Sequence, residues 1–203
     1  VLKARLKGVG VLTRKDAVDF CATGPTSRAS GVPADVRVDD IRDAYGLVDF
    51  NVITTENGDV YDKLALRLLE TIESCHISKQ CLEKLADTRG EILNNVTHIS
   101  PGEGIGRYEA PRGEVFHYIR SDGSNRAIRH KVRAPSYVNI PTFEASCKGI
   151  SLSDVLITLA AVDPCYCCTE RAIKIRSGAD SDLDLLKLSK QKTERIRRDY
   201  NGS

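Results

Sequence analysis

A chain of 203 residues with 41% hydrophobic content can bury a core, which excludes wholesale disorder and leaves room for one domain and at most a small second unit. Lys and Arg number 30 against 28 Asp and Glu, without the basic surplus that marks a dedicated nucleic-acid binder. No apolar run reaches membrane-span length and the first residues do not form a signal peptide, so any membrane link is expected to come through partners.

The sequence starts at Val1 and holds no Met, so it is read as lacking its native amino terminus. Val9 to Leu12 predicts a short strand, followed by a helical turn from Asp16 to Phe20. Residues 21–40, punctuated by Gly, Ser and Pro, read as a loop rich in Arg and Asp. From Asp59 the apolar positions Tyr61, Leu64, Ala65, Leu68, Leu69 and Ile72 recur at helical spacing, and neither Gly nor Pro intervenes through Arg89. One long helix, or two stacked end to end, is expected there, with that stripe in a bundle core.

Residues 101–113, with four glycines and two prolines, read as a loop. Glu114–Arg120 and Ala127–Arg133 alternate as strands of a hairpin around Asp122-Gly123. Ser151-Leu-Ser-Asp154 carries a capping pattern, and Leu152, Val155, Leu156, Leu159 and Ala160 form the apolar stripe of the helix that follows. Pro164 disfavours helical geometry at Asp163 and ends that helix. The tail, with Leu183, Leu185, Leu186 and Leu188 among alternating charges, predicts a short strand and a solvated helix. The fold class expected is α+β and helix-rich, with long bundle helices and a small antiparallel β-hairpin or sheet.

Seven cysteines stand at positions 21, 75, 81, 147, 165, 167 and 168. An odd number, with three crowded into four residues, is a poor disulfide framework. It reads as reduced thiols in a cytoplasmic compartment, the crowded set reserved for metal or redox chemistry. Cys21 and Cys147 have no sequence partner and are expected in the core, while Cys167 is expected to pack like a small hydrophobe. Histidines 76, 98, 117 and 130 form no metal-ligand spacing. Gly102-Glu-Gly104-Ile-Gly106 precedes a hairpin rather than a helix, which argues against a nucleotide loop.

Asp163-Pro164-Cys165-Tyr166-Cys167-Cys168 is the most informative stretch. Cys165 and Cys168 form a C-x-x-C pair at a helix end, able to converge on one soft metal centre. Spacing alone leaves structural zinc, a redox disulfide and an iron-sulfur or nickel site open. A zinc site wants a second matching pair, and thioredoxin-like chemistry wants the pair at a helix start.

Asp-Pro-Cys-x-x-Cys at 163–168 resembles the carboxy-terminal nickel-binding motif of nickel-iron hydrogenase large subunits. Glu109-Ala-Pro-Arg112-Gly113 resembles that family's active-site arginine loop, and Ala134-Pro-Ser136-Tyr-Val-Asn139 the segment over the iron. Gly24-Pro25-Thr-Ser-Arg28-Ala-Ser-Gly31 and Ala34-Asp-Val-Arg37 resemble stretches shared with the quinone-side subunit of respiratory complex I. The Gly123-Ser-Asn-Arg126 turn and the Cys168-Thr-Glu-Arg171 ending resemble the energy-converting, complex-I-related hydrogenases. Complex I's own subunit lacks the cysteine pair, whereas both cysteines stand here.

The resemblance implies residues 1–171 as the carboxy-terminal part of a hydrogenase large-subunit-like domain and 172–203 as a docking segment or extension. It implies a nickel-iron centre whose iron carries carbon monoxide and cyanide. Cys165 would then be a terminal nickel thiolate and proton acceptor, and Cys168 a bridge between nickel and iron. Arg112 would stand over the open site contacting a cyanide, and Ser136 would donate to another cyanide. The implied reaction is reversible heterolytic cleavage of dihydrogen. Electrons would pass to or from ferredoxin through the iron-sulfur clusters of a small-subunit partner, with ion-translocating membrane subunits attached. The chain would sit peripherally on the cytoplasmic side of the membrane, with no nucleic-acid partner. A second C-x-x-C pair, which the family carries near its amino end, does not stand in this chain. Arg171 stands where many hydrogenases have His, so their magnesium site does not carry over. Two other readings compete: a complex-I-like quinone or dehydrogenase subunit without hydrogen chemistry, and a zinc-stabilised interaction module.

Overall fold

A computed structural model describes residues 2–41, 43–93, 95–96, 98–169, 174–177 and 181–184. The chain divides into two units, Val1–Cys168 and Thr169–Ser203. The first unit opens with short helices α1 (Leu2–Leu6), α2 (Arg14–Asp19), α3 (Gly24–Arg28) and α4 (Val36–Asp39), and a 3-10 turn at Asp43–Leu47. The long helix α5 (Val60–Leu85) leads to a three-stranded antiparallel sheet, β1 (Gly102–Ala110), β2 (Gly113–Ser121) and β3 (Ala127–Arg133), with β2 central. Helices α6 (Pro135–Asn139), α7 (Phe143–Ser146), α8 (Leu152–Val162) and α9 (Tyr166–Thr169) follow. In the second unit β4 (Lys174–Ser177) pairs antiparallel with β5 (Ser181–Asp184). The tail helix expected from sequence, and Arg171, lie outside the described residues. No described helix is long and apolar enough to cross a membrane.

The helix-rich α+β architecture with a small antiparallel sheet is as expected. α5 forms because 26 residues run without Gly or Pro, and because the Asp59 side chain caps it by accepting the Asp62 N–H at 2.7 Å. The β2–β3 hairpin pairs Phe116 with Arg133 through Ile119 with His130, and turns through Asp122-Gly123 as predicted. α8 stops at Val162, just ahead of Asp163-Pro164.

Four expectations fail for physical reasons. Val9–Leu12 is not a strand, because Gly8 and Gly10 take positive φ; Leu12 N–H to Gly58 and Val60 N–H to Val9 tie it to the start of α5 instead. Residues 21–40 are not simply loop: Pro25 sits at the start of α3, where its missing N–H costs nothing, and the Asp35 side chain caps α4. Residues 102–110, expected as loop, form β1, each residue matched by one of β2, so ladder pairing overrides the weak strand preference of glycine. Leu64, Leu68, Leu69 and Ile72 on α5 are exposed rather than core, as are Leu152 and Leu156 on α8. A 3.6-residue period decides which residues share a face; a tertiary neighbour decides whether that face is covered.

The core lies where α5 meets α1, α3 and α8, around Leu6, Leu12, Ala29, Leu66 and Val162. Beside it runs a charge cluster. Arg28, 3% exposed, donates to Glu70 at 2.6 Å and Glu109 at 2.8 Å, and pairs with Asp35 at 3.4 Å. Burial pushes the Glu109 carboxyl above the usual carboxylate range, against the pull of Arg28. Arg37 and Arg28 hold Asp35 below that range although burial opposes them. The cluster ties α3, α5 and β1 together beside the turn that carries Arg112.

Candidate functional site

Arg112 sits at the β1–β2 turn, and that turn is pressed onto the start of α3. A Cβ at Gly24 would lie 2.4 Å from the Gly113 Cα, and one at Gly113 would lie 2.7 Å from the Gly24 nitrogen. Both have positive φ, so only glycine fits at either position. Asn139, fully buried, brackets the contact: it accepts the Thr23 N–H at 2.9 Å and donates to the carbonyls of Thr23 and Arg112, both at 3.1 Å. The backbone of Arg112 is therefore anchored while its side chain reaches outward.

That side chain meets the end of α8. Arg112 Nε donates to the Asp163 carbonyl at 2.6 Å and Nη2 to Asp163 Oδ1 at 3.1 Å. Arg67 on α5 reaches the same corner, donating to the carbonyls of Ala161 and Val162 and to Asp163 Oδ2 at 3.4 Å. Cations at a helix carboxy terminus satisfy its last carbonyls and oppose its dipole. Asp163 is left-handed, φ 57° and ψ 61°, a conformation that costs a non-glycine residue ~1–2 kcal/mol. Two arginines hold it there, and the chain turns sharply into Pro164-Cys165.

Ser136, 1% exposed at the start of α6, accepts the Cys165 N–H on its Oγ at 3.0 Å. The Cys168 N–H returns to the Cys165 carbonyl at 3.1 Å, closing a turn that brings both thiols to one edge. Cys165 is held below its ordinary pKa because the Cys168 side chain donates to it, assisted by backbone N–H groups and the charge of Arg112. Cys168 is held above its ordinary value because it is that donor. Two neighbouring sulfurs, one of them drawn toward the thiolate by its partner's S–H and by Arg112, suit a soft cation. An apolar groove of about 420 Å³, lined in part by Leu6, Leu64, Ile157 and Ala161, also has Arg67 and Asp163 in its wall.

Arg112, Ser136, Cys165 and Cys168 thus converge on one corner. Asp163 and Arg67 were missed as site residues, although Asp163 opens the quoted motif; Arg67 had no signal beyond one charge on an amphipathic helix. Cys167 is exposed rather than packed, Cys21 is exposed at φ 53°, and Cys147 is half-buried, so none of the three is core. Cys75 and Cys81 are exposed on α5. Among the described residues no group of three or more His, Cys, Asp or Glu gathers as a metal site.

The chain matches the family model described as "Respiratory-chain NADH dehydrogenase, 49 Kd subunit" over residues 1–101 and 89–171. It is 33% identical to the membrane-bound hydrogenase subunit alpha of Pyrococcus furiosus, over 99% of this chain and 51% of that protein. It is 38% identical to an NADH-quinone oxidoreductase subunit of a Roseiflexus species, covering 80% of this chain and 46% of the relative. It is 35% identical to the carbon monoxide-induced hydrogenase of Rhodospirillum rubrum, over 82% of this chain and 46% of the other. The chain spans about half the length of these curated relatives.

Proposed function

The chain belongs to the family of the 49 kDa subunit of respiratory-chain NADH dehydrogenase, and from that premise we propose that it is the carboxy-terminal part of a nickel-iron hydrogenase large subunit. Within a family whose relatives include both hydrogenases and quinone oxidoreductases, the observation that carries the reading is the Cys165–Cys168 thiol pair beside Arg112. A quinone-reducing site has no need of two adjacent thiols, one of them held toward thiolate.

The donor set fits half of a nickel-iron centre. Cys165 and Cys168 would hold the centre through their sulfurs, and no third His, Cys, Asp or Glu gathers with them among the described residues. A bound centre of this kind supplies the electron-accepting site for heterolytic cleavage of dihydrogen. Cys165 would take the proton, as the terminal thiolate that the family resemblance implies, with its backbone N–H fixed by Ser136. Ser136, having accepted at its oxygen, retains its own O–H, which would be able to donate to a cyanide of the bound centre. Arg112, its backbone bracketed by Asn139 and its fork steadied by Asp163, supplies a fixed cation that needs no reorganisation.

On this reading the chain works in a multisubunit, membrane-associated assembly, exchanging electrons with ferredoxin through the clusters of an iron-sulfur small subunit, beside ion-translocating membrane subunits. The competing dehydrogenase reading draws on the NADH-quinone oxidoreductase relatives, which match at similar identity. Elemental analysis and hydrogen–deuterium exchange activity of the purified complex separate the two. The hydrogenase reading expects stoichiometric nickel and exchange in wild type, both lost in Cys165→Ser. A nickel-free wild-type complex that reduces quinone contradicts it.

A further inference from the structure

The sheet brings together two histidines that sequence spacing does not relate. His117 on β2 and His130 on β3 are not direct partners: His117 faces Val132 and His130 faces Ile119. They sit diagonally on one face, and His117 Nδ1 lies 2.9 Å from His130 Nε2, with ring centroids 5.2 Å apart. That separation is an imidazole–imidazole hydrogen bond, in which one ring donates and the other accepts.

Their surroundings leave the pair approachable. The β1 residue opposite His117 is Gly106, and a Cβ there, or at Gly104, would meet nothing within 4 Å. Ile119 and Val132 flank the rings and are exposed. By strand alternation, Arg129, Lys131 and Arg133 belong to the opposite face, so no neighbouring cation on β3 shares the histidines' side. Two imidazoles are thus held on a paired ladder, open to water on one side.

We propose that His117 and His130 form a chelating site for a divalent first-row ion, nickel(II) or copper(II). Metal–imidazole bonds run at about 2.0–2.1 Å. Two nitrogens already 2.9 Å apart are close enough that modest rotations of both rings bring them to one ion. Imidazole suits both copper(II) and nickel(II), and the square-planar or tetragonal shell these ions take leaves positions for water beside two imidazoles. On binding, the donor ring moves its proton to its other nitrogen and both rings turn about Cβ–Cγ to aim lone pairs at the ion. No net proton has to leave. No third His, Cys, Asp or Glu gathers there among the described residues, so water completes the shell. The proposal does not depend on the role of Cys165 and Cys168.

The test titrates nickel(II) and copper(II) into the full-length subunit by calorimetry, comparing wild type with His117→Gln, His130→Gln and the double variant. Because the rings act as one chelate, either single substitution weakens the site by roughly a hundredfold and the double variant is no weaker than either. Pulsed EPR of the copper(II) form then shows two coordinated imidazoles in wild type and at most one in each single variant. Circular dichroism confirms that the exposed substitutions leave the fold intact. Equal affinity in wild type and both single variants, or a one-ring signal in wild type, overturns the proposal. So does uptake that only Cys165→Ser removes.

Discussion

Ser136 Oγ accepts the backbone N–H of Cys165 at 3.0 Å, so the start of α6 directly sets where the first cysteine of the pair begins. The hydroxyl lies in a buried residue, where a lost hydrogen bond is poorly replaced by water. Ser136→Ala removes this acceptor and is expected to cost ~1–3 kcal/mol. Thermal unfolding should register a drop of a few degrees for a chain of this size. If Cys165 is a ligand, nickel content of the assembled complex also falls, whereas an unchanged Tm with full nickel content shows the bond to be idle.

Arg112→Lys keeps the charge and removes the fork that engages Asp163 through two nitrogens. Lys offers a point charge on a flexible stem, so the cation beside the thiols is no longer fixed. The expected result is hydrogen turnover reduced on the order of a hundredfold at unchanged nickel content. Arg112 is about a third exposed, so the lost ion pair itself should change stability by less than ~1 kcal/mol. Turnover measured against nickel content separates this positional loss from failed assembly.

Lys63 provides a pH signature outside the site. It is fully buried on α5, donates to the Gly10 carbonyl at 3.0 Å, and burial pushes it down to about 8 against the pull of Asp59. A lysine whose folded pKa lies below its ordinary 10.5 carries a penalty at neutral pH. Between about 8 and 10.5 the unfolded chain binds the extra proton, so stability from this group rises with pH across that window. The gain totals roughly 3 kcal/mol. Urea unfolding of wild type and Lys63→Met at about pH 7.5 and about pH 10 should show wild type gaining on the variant as pH rises. A constant difference contradicts the assignment.

Much of this was legible in sequence where local chemistry decides the outcome. α5 follows from an uninterrupted helical stretch with an Asp cap, the β2–β3 hairpin from Asp122-Gly123, and the end of α8 from Pro164. Arg112, Ser136, Cys165 and Cys168 were named from motifs, and the structure brings all four to one corner. What could not be read depends on neighbours distant in sequence. Arg67 reaches Asp163 across 96 residues, and Asn139 reaches Thr23 across 116. β1 exists because β2 pairs with it, not because its glycines favour a strand. The leucine stripe of α5 announced a shared face correctly, yet Leu64, Leu68, Leu69 and Ile72 stay exposed in the described chain.

The most direct measurement is nickel X-ray absorption on the intact complex, comparing wild type with Cys165→Ser and Cys168→Ser. The account predicts a sulfur-dominated nickel shell in wild type that loses one sulfur, or the metal altogether, in each variant. A nickel shell of nitrogen and oxygen that both substitutions leave unchanged would contradict it.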